Sequence, residues 1–314
     1  MGARDFQLTT PGPLRLYSTT ELLNLPAPTW MIDRIIPSGG LVAIYGAPGC
    51  GKSFVALDIA FSIATARAWQ GHEVQPGHVL YLAAEGGAGM SKRARAWLQH
   101  NGVRASQTNI SWLIESVPVH VDSDQMTTLL ERIQTEIENT PDLVIIDTLA
   151  RCFDGEESET GDMGRFIGGV DHLRSTLGCT VMVIHHTRLA GDRERGNTAF
   201  RGAADAMLSV EKDGLDITIS CTKQKDAEEF EAINLELTSV EGTDSCVVSS
   251  SGAAIKRDEE YAVVIEALSR LQPCKWDDWT AATGLSPSRF FRYFPELKKK
   301  GVVIKENGLW RIAG

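Results

Sequence analysis

The chain has 314 residues, 43% hydrophobic and 23% charged, enough to bury one large core or a core domain with a small satellite. No run approaches the roughly 18 apolar residues that cross a bilayer, and residues 1–20 lack the basic start and apolar middle of a signal peptide. The formal charge of −10 excludes a uniformly basic surface, yet it is uneven: Lys256 to Gly314 holds eleven Lys/Arg against eight Asp/Glu, a balance of +3, which leaves −13 on the first 255 residues.

Cysteines at 50, 152, 179, 221, 246 and 274 form no C-x-x-C pair. They read as reduced thiols in a cytoplasmic protein with no membrane association, neither a disulfide framework nor a zinc knuckle.

In chain order, residues 1–29 carry four prolines and little periodicity. They predict an extended arm with at most one short helix, around Thr20 to Leu25. Pro37-Ser38-Gly39-Gly40 is a turn feeding a short apolar strand, Leu41 to Tyr45. Gly46 to Ser53 follows without a gap and reads G-x-x-x-x-G-K-S, a phosphate-binding loop. Its glycines let the loop of Gly46, Ala47, Pro48, Gly49, Cys50 and Gly51 wrap closely around phosphate, every residue but Pro48 having a backbone N–H to offer its oxygens. Lys52 can reach the β- and γ-phosphates, Ser53 can offer a hydroxyl to Mg²⁺, and Phe54 follows in the first helical turn. The helix opening at Lys52, with an apolar pattern to about residue 68, adds its free amides to the same anion site. Gly46, Gly49 and Gly51 do not have the spacing of a dinucleotide fingerprint, which disfavours a nicotinamide oxidoreductase.

Val79 to Ala83 is a second strand, and Glu85 ends it. A helix from Ser91 to His100 clusters Lys92, Arg93 and Arg95 at its start. Ile110 to Glu115 is a third strand; Asp122 or Ser123 caps a helix to about Asn139. Leu143 to Ile146 is a fourth strand, ending at Asp147. A helix from Asp162 to Leu177 leads to a fifth strand, Thr180 to Ile184, with His185 and His186 at its end. Strands alternating with helices predict a mostly parallel sheet covered on both faces. Ala206 to Val210, Asp216 to Cys221 and Glu231 to Leu237 then extend the sheet antiparallel. Residues 241–255 are Ser/Gly-rich and read as a linker between a domain of residues 30–240 and a tail of residues 256–314. The tail's order of helix, helix, turn, helix and hairpin predicts a winged helix-turn-helix.

In a parallel sheet all strand ends open on one edge, where ligands bind. Asp147 there can hold Mg²⁺ beside Ser53, and Glu85 can orient and deprotonate an attacking water. The alternatives are that Asp147 caps its turn with Thr148, and that Glu85 caps the helix after Gly86-Gly87. Of the two histidines, His186 is the candidate contact to a γ-phosphate and His185 reads as a core residue. No third ligand stands at metal-site spacing. Residues 187–201 carry Arg188, Arg193, Arg195 and Arg201 and suit a loop gripping single-stranded DNA, or a plain solvated loop. Lys223 and Lys225, just past a strand end, are candidate cations for a neighbouring subunit's site, or an ordinary charged hairpin. In the tail, Arg289 and Arg292 can meet DNA in a major groove, whereas Phe290, Phe291, Tyr293 and Phe294 read as core.

GAPGCGKS, the VLYLAAEG strand with its glutamate, VIIDTLARCFDGEE, GCTVMVIHHT and Arg201-Gly202-Ala203 together resemble the RecA-like ATPases of the plasmid replicative helicase RepA type. The resemblance covers roughly residues 25–240. It implies an α/β RecA-like P-loop core, ATP and Mg²⁺, a homo-oligomeric ring, commonly a hexamer, and single-stranded DNA in its channel. It also implies Asp147 as the Walker B acid, Glu85 as the catalytic carboxylate, His186 as sensor, and Arg201 in nucleotide sensing or an intersubunit contact. Helicases of this type are largely a bare motor, so the tail, a candidate reader of duplex or forked DNA, is a departure. The alternative is a DNA-binding regulatory ATPase or a recombination mediator without unwinding activity.

Overall fold

The computed structural model describes residues 16–25, 27–157, 159–186, 197–250, 253–285, 290–291, 293–294, 297–298, 301–306 and 308–313. The chain divides into two units. One holds Met1–Lys212, Ile217–Ile233 and Leu237–Ser249; the other holds Ser250–Gly314 with Asp213–Asp216 and Asn234–Glu236.

Helix α1 (Thr19–Leu23) begins with a complete capping box, in which the Ser18 hydroxyl accepts from the Glu21 amide and the Glu21 carboxylate accepts from the Ser18 amide. A small ribbon, β1 (Trp30–Ile32) with β2 (Ile36–Pro37), precedes the main sheet. Then come β3 (Leu41–Gly46), α2 (Lys52–Ala64), β4 (Val79–Ala83), α3 (Gly87–Asn101), β5 (Ile110–Leu113) and α4 (Asp124–Glu136). They are followed by β6 (Leu143–Asp147), α5 (Leu149–Cys152), α6 (Thr160–Leu177), β7 (Thr180–His186) and α7 (Asn197–Ala203). Four further strands complete the sheet: β8 (Ala206–Asp213), β9 (Asp216–Gln224), β10 (Ile233–Val240) and β11 (Ser245–Ser250).

The nine strands lie in the order β11-β10-β9-β8-β3-β7-β6-β4-β5. From β8 to β5 every pair is parallel. The connections from β8 to β11 are too short for crossovers, so these strands run antiparallel. The chain leaves β3 toward β4 on one side and returns to β8 on the other. This switch point places the loop after β3 at the crevice where such sheets bind ligands.

Period-two alternation decides what each strand presents. Leu41 and Ala43 of β3, Leu80 and Leu82 of β4, Val144 and Ile146 of β6, and Val181 and Val183 of β7 share one cluster with Leu129 and Leu130 of α4 and Phe166 and Val170 of α6. The other face carries Tyr81, whose ring lies 5.2 Å from that of Trp112; there Phe61 of α2 stacks on Trp97 of α3 at 4.5 Å. Buried Asp58 of α2 accepts from the indole N–H groups of both Trp69 and Trp97, so its charge has partners on two neighbouring segments. On the α6 side, Gly169 is required: a Cβ there would stand 2.5 Å from the Val119 carbonyl oxygen.

Several boundaries differ from expectation. Helix α2 stops at Ala64, not residue 68, because the Thr65 hydroxyl takes the Phe61 carbonyl and Ala66 adopts a positive φ of 57°. Helix α3 begins at Gly87, four residues before Ser91, because Gly86 in the left-handed region forms its N-cap; Glu85 therefore does not cap it. Ser123 is the cap of α4. Residues 245–250, expected to be linker, instead form the sheet's outermost strand, burying Val247 and Val248.

The second unit contains α8 (Ala253–Leu271), α9 (Trp276–Thr283) and an antiparallel hairpin of β12 (Val303–Glu306) and β13 (Leu309–Ile312). The described positions among residues 290–298 are helical. Its core gathers Val264, Leu268, Trp279, Phe290, Tyr293 and Trp310. Phe290 and Tyr293 are buried as expected, but Phe291 is 54% exposed. Among the described residues no helix is long and apolar enough to cross a membrane, and all six cysteines are free.

Candidate functional site

The loop between β3 and α2 is shaped by its glycines. Gly46, Gly49 and Gly51 have φ of 156°, 75° and 97°. At Gly46 the requirement is also spatial, since a Cβ would fall 2.3 Å from the Val210 carbonyl oxygen. Gly51 caps α2 without a side chain, which leaves the first amides of α2 to face the loop. Lys52 is 3% exposed, and its ammonium donates to the carbonyls of Gly46 (2.9 Å) and Ala47 (2.8 Å), with the Cys50 sulfur at 3.7 Å. Burial pushes its pKa below the ordinary lysine value, while Cys50, Asp147 and Glu85 draw it back up.

Asp147 ends β6 with 1% exposure. Alternation turns it away from Val144 and Ile146, onto the face that carries Tyr81, whose hydroxyl donates to Asp147 Oδ2 at 2.8 Å. Burial raises the Asp147 pKa. Tyr81, Ser53 and Arg93 oppose that rise. Burial and the same carboxylate hold Tyr81 far above the ordinary phenol value, so it remains a donor. Asp147 Oδ1 is buried and has no hydrogen-bond partner among the described residues. An orphaned carboxylate oxygen beside a serine hydroxyl suits a hard divalent cation such as Mg²⁺.

Glu85 stands next to this group. Ala83 pairs with Asp147 across the sheet, and the Glu85 amide donates to the Asp147 carbonyl at 3.0 Å. The Thr148 hydroxyl donates to Glu85 Oε2 at 2.9 Å, and His186 Nε2 lies 3.4 Å from the same oxygen. Burial alone would raise the Glu85 pKa. The bonds from Thr148 and His186 and the charge of Arg151 outweigh it, so the carboxyl sits below its ordinary value and is ionised at neutral pH. The Thr148 side chain is thus committed to Glu85. The Asp147–Thr148 peptide is cis.

The two histidines of β7 separate by the same alternation. His186 faces Glu85. His185 points to the opposite face, 8% exposed, 3.1 Å from Glu157 and edge-on to Phe200.

Lys223 lies inside β9, a correction to its expected place past the strand end; only Lys225 follows the strand. Because β9 runs antiparallel, both sit at the sheet edge away from the chain's own phosphate loop. Lys223 donates to the carbonyls of Arg201 and Gly202, Lys225 pairs with Asp205 at 3.2 Å, and Arg201 donates to the Thr222 carbonyl. Arg188, Arg193, Arg195, Arg289 and Arg292 lie outside the described residues.

Three participants were not singled out from sequence. Tyr81 is a lone hydroxyl in an aliphatic strand. Thr148 follows the strand's terminal acid directly. Arg93 belongs to the basic cluster on α3, and its guanidinium lies 4.9 Å from the centre of the Phe54 ring. Phe54, Lys92, Arg93 and the turn between β10 and β11 line a cavity of about 550 Å³ beside the loop.

Comparison with known families matches residues 18–192 to the AAA domain. That span, more than half of the chain, runs from the cap of α1 past the end of β7 and takes in the phosphate loop, Glu85, Asp147 and His186. A phosphate-shaped loop, a buried lysine and an acid pair in one row of strand ends are the nucleotide-binding, hydrolase-type core of such a domain, and the chain belongs to the AAA domain family.

Proposed function

We propose that this chain is a Mg²⁺-dependent ATPase of the RecA-like kind that works as a ring on single-stranded DNA, the replicative-helicase type its motifs resemble. The observation that carries the ATPase reading is the convergence of Lys52, Ser53, Asp147 and Glu85 on one edge, with one buried carboxylate oxygen lacking a partner among the described residues.

Lys52 would exchange the Gly46 and Ala47 carbonyls for β- and γ-phosphate oxygens, and Ser53 and Asp147 would hold the metal ion. When bound, Mg²⁺ neutralises charge on the phosphates. The amides of the loop and of the first turn of α2 orient the phosphate chain. Glu85, ionised and fixed by Thr148, accepts the proton of the attacking water. His186, beside Glu85, would meet the γ-phosphate. The cavity at Phe54 and Arg93 takes the base and ribose.

Lys223 and Lys225 lie at the edge away from the chain's own loop, so the role in hydrolysis proposed for them is at a neighbouring copy's site. Arg188, Arg193 and Arg195 follow His186 directly in sequence and supply the DNA grip. The separate second unit, with its two helices and hairpin, favours a second reading: a winged-helix DNA-binding regulator or recombination mediator that hydrolyses ATP without unwinding. Arg289 and Arg292 would then carry duplex contact.

The test is phosphate release with and without single-stranded DNA, alongside light scattering with ATP. The motor reading predicts stimulated hydrolysis by a particle of ring size. Replacing Arg193 and Arg195 by Ala would abolish stimulation and lower the magnitude of the salt slope of DNA affinity by about 0.7 per lost contact. Hydrolysis indifferent to single strands, from a monomer, would leave only the regulator.

A further inference from the structure

The carboxylate that would serve as general base has an asymmetric environment. Thr148 Oγ1 donates to Glu85 Oε2 at 2.9 Å, and His186 Nε2 approaches that same oxygen at 3.4 Å. No hydrogen bond from a described residue reaches the other oxygen. Thr148 itself is 2% exposed and belongs to the segment that follows Asp147, so its hydroxyl is fixed to the end of β6. Glu85 is 45% exposed at its side chain, so its described hydrogen bonds bear directly on its rotamer. A glutamate on a strand end has three rotatable bonds, and proton abstraction requires one oxygen within hydrogen-bond reach of the water.

We infer that Thr148 is a positioning residue for hydrolysis: by holding Oε2 of Glu85 it turns Oε1 toward the water site, and it keeps that orientation when His186 leaves Glu85 for the phosphate. The inference rests on the reading of Glu85 as general base. Thr148 and His186 both approach Oε2. Their geometries differ in a telling way. Thr148 is buried, short in reach and tied to the metal-side strand, whereas His186 is partly exposed and the Glu85 oxygen is near the limit of its hydrogen-bond range. The weaker partner is the one free to change.

The experiment uses the full chain with Thr148→Val, which keeps shape and removes the donor, and Thr148→Ser, which keeps the donor. Thr148→Val should lower kcat roughly ten- to a hundredfold while KM and the affinity for a fluorescent non-hydrolysable ATP analogue stay within about twofold. Thr148→Ser should recover most of the rate. In a Glu85→Gln background, Thr148→Val should add nothing, since it acts only through Glu85. A crystal structure of nucleotide-free Thr148→Val should show the Glu85 carboxylate displaced from its place beside His186, a readout independent of turnover.

Additive losses in the double variant, a Ser variant as slow as Val, or an undisturbed Glu85 in the crystal would each overturn the assignment. If Glu85→Gln alone hydrolyses ATP at the wild-type rate, the general-base reading fails instead, and the two failures are told apart by that single variant. Circular dichroism and thermal unfolding show whether Thr148→Val folds. Should it not, the Thr148→Ala and Thr148→Ser pair supplies the same comparison, with Ala expected slow and Ser fast.

Discussion

At the residue scale, the site is a set of buried or half-buried charges whose partners are unevenly supplied. Asp147 at 1% exposure accepts from Tyr81 and keeps one oxygen without a hydrogen-bond partner among the described residues, while Lys52 at 3% is answered by carbonyls and a sulfur of its own loop. Such groups cost stability unless a ligand completes them, which is the usual bargain at a binding site. The thiols offer a check on burial that is independent of nucleotide. Burial pushes Cys152 up to about 11 and Cys179 up to about 12 from an ordinary 9.0. These are acids whose folded pKa is raised, so the unfolded chain releases the proton first. Their contribution to stability is therefore intact below pH 9 and declines as pH rises through 9 toward 11–12. Pulsed alkylation at pH 8 should label the half-buried Cys221 and Cys246 first, with Cys152 and Cys179 labelled only on unfolding. Early labelling of Cys179 would contradict the packing of α6 on β7.

At the element scale, the phosphate loop shows which glycines have a steric reason. Gly46→Ala would drive a Cβ to 2.3 Å from the backbone oxygen of Val210, which no side-chain adjustment relieves, whereas Gly49 has open space and only its φ of 75° to lose. Chemical denaturation should therefore show a loss of about 3 kcal/mol or more for Gly46→Ala and about 1 kcal/mol for Gly49→Ala. Equal costs would mean the loop is not seated against β8 as described.

Much of this was legible from the chain. The run Leu41 to Tyr45 before a glycine loop, the apolar strand ending at Asp147 and the fifth strand with His185-His186 at its end each placed an element, whereas Glu85 lies two residues beyond its strand, which stops at Ala83. Alternation even separates His186 from His185. What was not legible came from tertiary neighbours. That Thr148 reaches Glu85 depends on β4 lying beside β6, a pairing local sequence does not state. Ser245 to Ser250 looked like linker because its strand character comes from an edge position and only two buried valines. The place of Lys223 and Lys225 at the far sheet edge follows from the antiparallel run of β9.

At the scale of the whole molecule, one unit holds the nucleotide chemistry and the other is a small aromatic-cored body of two helices, a hairpin and the helical positions of residues 290–298. The division suits a protein that couples hydrolysis to a second macromolecule, and ring assembly on single-stranded DNA is the form of coupling proposed. All of that depends on the first unit being a working ATPase. The most direct measurement is Mg²⁺-dependent phosphate release by wild type, Lys52→Ala and Glu85→Gln, with nucleotide binding followed in parallel. The account predicts that Lys52→Ala loses both binding and about 10²-fold or more in turnover. Glu85→Gln should bind ATP as wild type does and turn it over about 10²- to 10⁴-fold more slowly. Wild-type phosphate release persisting in Lys52→Ala, or no Mg²⁺-dependent release by the wild-type chain at all, would contradict it.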